Sequence, residues 1–157
     1  MAPTTARPTR RIALAVGVGI LLTCVLAACT PAARIYAKQD GDDVVFRICE
    51  PFRANQIAVF FAADSASDLT VWQVDGPDLA ISEGSEYRAG QLLPEFTTTV
   101  PFTMSVDDLK DGAFGIAFNL IDAEGTISRN RVSSFDGSKL SENAWIDSNG
   151  VTVSPPC

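Results

Sequence analysis

From Asp43 onward, apolar residues recur at every second position in short runs, and turn-forming residues separate those runs. Val44, Phe46 and Ile48 share one side of an extended segment and Val45 and Arg47 the other, up to Cys49 and the breaking Pro51. A period of two is the strand period. Ile57–Ala62 is nearly continuous apolar, as a central strand covered on both faces would be. Leu69–Val74 predicts another strand, entered from a turn at Asp64–Asp68 and ended by Asp75-Gly76-Pro77-Asp78. The longest alternation runs from Phe96 to Val106. Thr98, Val100, Phe102 and Met104 fall on the face of Phe96, and Pro101 puts this half-buried strand at an edge or a bulge. Asp107–Gly112 reads as a corner with room for one helical turn, after which Phe114, Ile116, Phe118 and Leu120 resume the pattern. Asp122–Thr126 is a hairpin loop returning through Ile127–Phe135. Asp136–Asn143 is a polar loop that could hold a short helix. Trp145-Ile146 and Val151–Val153 flank Ser148-Asn149-Gly150 as a final hairpin or a bent last strand. Only Leu79–Glu95 is irregular, with a short edge strand near Glu86–Arg88. About seven short strands with turn signals between them predict an all-β sandwich.

The N-terminal part is different. Arg7, Arg10 and Arg11 form a basic head, Ile12–Ala28 carries no charge, and small residues lead into Cys29. That is the layout of an export signal. A retained transmembrane helix needs about 17–25 apolar residues, and this run, weakened by Gly17 and Gly19, sits at the lower limit. An ordinary secretory signal cut near the same point is the other alternative. Leu26, Ala27, Ala28 and Cys29 resemble the lipobox of bacterial lipoprotein precursors. The resemblance covers the first 29 residues only. It implies that residues 1–28 are removed as a signal peptide and that the thiol of Cys29 receives a diacylglyceryl group. The two acyl chains of that group, with a further one where the new amine is acylated, would make the anchor firm, since one chain alone holds weakly. Residues 29–42 are then expected to be a lipidated tether and 43–157 the folded domain. The expected address is the extracytoplasmic face of a cell membrane.

Charge and cysteines narrow the picture. Losing three arginines with the signal leaves nine basic against nineteen acidic residues, a net charge of −10 instead of −7. Such a surface repels nucleic acid. Of the four cysteines, Cys24 leaves with the signal and Cys29 carries lipid. Cys49 and Cys157 are left in an oxidising compartment, where they are expected to pair.

There is no histidine. Ser-His-Asp and Cys-His nucleophile systems and histidine-held zinc are thereby excluded. No Ser-x-x-Lys and no Gly-x-Ser-x-Gly elbow occurs, so no enzyme activity is expected and no cofactor. Asp107, Asp108 and Asp111 are the calcium candidates, but they miss the Asp-x-Asp-x-Asp-Gly spacing and read first as a solvated loop. Trp72, Tyr87 and Trp145 are the candidate ligand contacts, provided that they are exposed together.

The stretch Leu109-Lys110-Asp111-Gly112-Ala113-Phe114 is similar to the Leu-x-x-Gly-x-Tyr corner of immunoglobulin-like domains. That resemblance implies an immunoglobulin-like sandwich, with Phe114 where the family has tyrosine and hence without its hydroxyl bond to backbone. The functional expectation is a non-catalytic binding or structural module at the cell surface, meeting a protein or a cell-wall polymer. It predicts an exposed apolar or aromatic patch near Leu79–Glu95. The alternatives are an accessory ligand- or calcium-binding subunit of an envelope transporter or sensor, and a carboxylate-based hydrolase.

Overall fold

The computed structural model describes residues 34–62, 68–150, 152–153 and 157. The expected signal segment and lipobox, and residues 64–67 of the expected turn, therefore lie outside the described residues.

Among the described residues, ten strands form two antiparallel sheets. The first sheet contains β1 (Ile35–Asp40), β2 (Asp43–Ile48), β5 (Ser85–Arg88), β9 (Trp145–Ile146) and β10 (Thr152–Val153), in the order β10-β9-β1-β2-β5. The second contains β3 (Phe52–Ala62), β4 (Leu69–Ile81), β6 (Thr97–Val100), β7 (Ala113–Ile121) and β8 (Ile127–Asp136), in the order β6-β4-β3-β7-β8. A short helix, α1 (Val106–Lys110), precedes β7, and a 3₁₀ turn at Gly137–Lys139 follows β8.

The inner faces are the alternate positions that the sequence marks as apolar. Val44, Phe46 and Ile48 of β2 and Ile57, Val59, Phe114, Ile116 and Phe118 of the second sheet have no exposed surface. Aromatic rings join the layers: Phe46 meets Phe114 edge-on at 6.2 Å between centroids, and Tyr87 meets Phe118 at 6.5 Å. Each such side chain contributes about 1.5–3 kcal/mol by leaving water. Cys49, directly after β2, is bonded to Cys157 with the Cα atoms 5.6 Å apart, so the expected bridge is present.

Three elements depart from the pattern reading. Ile35–Asp40 is a strand of the domain, not part of a tether ending at Asp42. Ile35 and Ala37 are fully buried, and the strand forms a hairpin with β2 in register Ile35 to Ile48 through Asp40 to Asp43. Gly41, at φ 63°, allows the tight connection. The sequence Ile-Tyr-Ala-Lys-Gln-Asp is too short and too polar to announce this by itself.

Asp75-Gly76-Pro77-Asp78 does not end β4. The strand runs through it to Ile81, and these turn-forming residues make an irregularity between the Asp75–Gln56 and Leu79–Ala54 pairs. Gly76 is needed there because the ring of Phe96 lies against its backbone, where any Cβ would collide.

Phe96–Val106 is not one strand. Only Thr97–Val100 pairs, against the edge of β4. Pro101 has no N–H to continue the ladder. Burial still alternates beyond it: Phe102 and Met104 pack on the core while Pro101, Thr103 and Ser105 are exposed.

The corner before β7 is α1, capped by Ser105, whose Oγ accepts from the Asp108 N–H while Asp108 accepts from the Ser105 N–H. Phe114 is wholly buried. Backbone holds the corner: the Gly137 N–H donates to the Gly112 carbonyl at 2.9 Å. A Cβ at Gly137 would collide with the carbonyl oxygens of Leu109 and Gly112.

Candidate functional site: the two outer faces compared

The three aromatic candidates do not make a common exposed surface. Trp72 lies opposite Val59 on the inward side of β4 and is 0% exposed. Tyr87 is 7% exposed and packs on Phe118, and burial pushes its hydroxyl pKa up against a smaller lowering from Ser85. Trp145, also 7% exposed, is flanked by Lys38 Nζ at 5.2 Å and the Arg47 guanidinium at 4.9 Å from its ring. None offers the free ring that stacking on a ligand requires. In Leu79–Glu95, Leu92 is the one large apolar side chain standing in solvent; Ile81, Tyr87 and Leu93 are buried.

The aspartates of α1 serve the helix itself. Asp108 completes the cap, its carboxyl held below the ordinary 3.8 mainly by the Ser105 hydroxyl. Asp107 pairs with Lys110 at 3.3 Å, and Asp111 is the C-terminal cap residue. Among the described residues, no group of three or more His, Cys, Asp or Glu is placed to hold a metal ion.

The strand registers bring other residues together. On the outer face of the first sheet, charges alternate and pair. Arg47 donates to Glu86 across β2 and β5, with Nε 2.9 Å from Oε1. Arg88 bridges Asp40 and Asp43, and its hydrogen bond is the main reason the Asp40 carboxyl is lowered. With Lys38 and Arg47 over Trp145, this is a solvated, ion-paired surface.

The outer face of the second sheet is built otherwise. Three transverse rows follow from the pairing of β4, β3, β7 and β8: Asp75-Gln56-Asn119-Asn130, Gln73-Ala58-Ala117-Val132 and Thr70-Phe60-Gly115-Ser134. Strands are spaced about 4.8 Å and same-face residues about 6.6 Å, so the rows cover a patch of roughly 14 by 13 Å. Asp75 is the single charged group in these rows, on a chain whose net charge is −7.

Hydrogen bonds lock the first row. Asp75 accepts from Gln56 Nε2 at 2.5 Å, Gln73 Nε2 at 2.8 Å and Thr99 Oγ1 at 2.6 Å. Asn119 Nδ2 donates to Gln56 Oε1 at 2.8 Å. Burial pushes the Asp75 carboxyl up, but the bonds from Thr99, Gln56 and Gln73 together outweigh it and hold the group below 3.8. The acid is therefore a fixed acceptor at neutral pH, backed by amide groups with donors and acceptors to spare. In the third row the half-buried Phe60 ring lies across Gly115.

Pattern reading alone missed this face. Its signal is nonetheless present: within these rows β3, β4 and β7 carry Gln, Ala, Asn, Gly and Thr beside Asp75 and Phe60, and the exposed Arg53–Asp78 ion pair of β3 and β4 lies outside the rows.

No family model, curated protein or solved structure matches this chain. Among the described residues, no helix is long and apolar enough to cross a membrane.

Proposed function

We propose that the mature protein is a lipid-anchored, extracytoplasmic binding module without catalytic machinery, and that it binds through the outer face of the second sheet. The observation that carries this reading is the contrast between the two outer faces. Charge depletion marks surfaces selected for contact, whereas an acidic protein otherwise keeps its sheets charged and solvated. The lipobox and the Cys49–Cys157 bridge support the address, since such bridges persist in oxidising compartments. Ile35 begins only six residues after Cys29, a reach of at most ~20 Å. The domain would therefore stand on the membrane surface rather than on a stalk.

We read the sandwich as immunoglobulin-like. Supporting this, β7 and β8 form a hairpin beside β3, with β4 and β6 continuing the same sheet and the β1–β2 hairpin in the other. This is the order in which variable-type domains extend their smaller sheet. The place of β5, next to β2 but earlier in the chain than β6, departs from that plan.

The test is fractionation of cells making the full chain or Cys29→Ser, with the intact mass of the extracted protein. Residues 29–157 with a diacylglyceryl adduct in the membrane fraction, lost in Cys29→Ser, are expected. A full-length chain with a bare thiol at position 29 would overturn the anchor.

A further inference from the structure

We propose that the amide-lined outer face of β3, β4, β7 and β8 binds an uncharged polysaccharide. This rests on the reading of that face as the binding surface and names the chemistry it takes.

The first argument is charge. A polyanion would need cations to meet it, and the three rows contain no lysine or arginine. The second is composition. Protein partners are typically anchored by Tyr, Trp, Phe, Met and Arg at the centre of a patch. Of these the rows hold only Phe60, in an outer row, and the centre of the middle row is small: Ala58 and Ala117.

The third argument is hydrogen-bonding capacity. A sugar hydroxyl both donates and accepts. Gln56, Gln73 and Asn119 each retain amide donors or acceptors beyond those used in the row, beside the ionised Asp75. Because these side chains already hold one another in place, a ligand that meets them immobilises few rotamers. The fourth is Phe60, which lies on the same face two rows away, half-buried over Gly115. Its outer side is a platform for the apolar face of a sugar ring, with the polar row within reach of the next units.

The experiment is calorimetric titration of the protein extracted in detergent from the membrane fraction. The probes are four neutral polymers (a glucan, a mannan, a galactan and an arabinan) and, as the polyanion, polygalacturonate. Saturable binding of at least one neutral polymer is expected, with none of polygalacturonate. Asn119→Arg should weaken it tenfold or more. Val132→Arg, at a 52% exposed position, should do the same with an unchanged Tm. Failure of all four neutral polymers to bind overturns the proposal, as does binding that both variants leave intact. A dimer dissolved by Val132→Arg would also overturn it, replacing the sugar with a second copy while leaving the face as the binding surface. If neither assay responds to Val132→Arg, that reading of the face fails too.

Discussion

Phe60 on β3 lies directly opposite Gly115 on β7, and its ring occupies the space that a side chain at position 115 would need. A strand glycine ordinarily leaves a hole in the pleat and weakens the ladder. Here the neighbouring aromatic ring covers the hole, which keeps the outer face flat at that point and holds the ring in place.

Gly115→Ala should therefore destabilise the domain by about 1–3 kcal/mol, the usual range for overpacking. The new methyl would meet both the Phe60 ring and the Ser133 carbonyl oxygen, so moving the ring alone cannot relieve it. Urea unfolding of Gly115→Ala and of Phe60→Leu/Gly115→Ala would show a loss in both.

Removing the bridge should cost far more than a surface mutation. Cys49 and Cys157 are 108 residues apart, and a closed loop of about that length restricts the unfolded chain by up to ~4.7 kcal/mol. Cys49→Ser/Cys157→Ser should show a strongly lowered urea midpoint. An equal loss in the wild type under reducing agent, with none in the variant, would tie the effect to the bond.

Ser133 makes the opposite prediction. It is 4% exposed on β8, and its Oγ is buried with no hydrogen-bond partner. An unpaired buried hydroxyl costs about 1–3 kcal/mol. Ser133→Ala should leave stability unchanged or raise it, visible as a Tm at or above the wild-type value. A clear drop would mean that the hydroxyl does have a partner.

Acid should loosen the second sheet through Asp75. Its folded pKa is held below 3.8, so ionised Asp75 favours the folded state fully above that value. The contribution disappears as the pH falls below 3.8 through the lowered folded pKa. Asp75→Asn should flatten this part of the stability–pH curve, measured by urea midpoints from neutral pH down to about pH 2. Asp40, Asp78, Asp108 and Asp136 are lowered too and keep a residual slope in the variant.

What could be read from the chain was local. The alternation of Val44, Phe46 and Ile48, or of Phe114 through Leu120, encodes a strand and its buried side because both depend on neighbours two residues away. The hairpin at Asp122–Thr126 is equally local: Asp122 Oδ1 accepts from the Glu124 and Thr126 N–H groups, with Gly125 at φ 80°. The pairing of Cys49 with Cys157 follows by elimination on the expectation that Cys24 leaves with a signal and Cys29 carries lipid, and the bridge itself is present.

The remainder depended on partners distant in sequence. Ile35–Asp40 is a strand because β2 and β9 accept it on both edges, and nothing in six mixed residues encodes that. Alternation shows that Trp72 and Tyr87 each lie on one side of a strand. Which side meets the other sheet is decided only when β4 and β5 are assigned to opposite layers. The row from Asp75 through Gln56 and Asn119 to Asn130 spans four strands, and it comes from pairing register alone. A residue's own chemistry and that of its near neighbours are written in the chain, whereas a surface assembled across a sheet exists only after long-range hydrogen bonding has set which strands lie side by side.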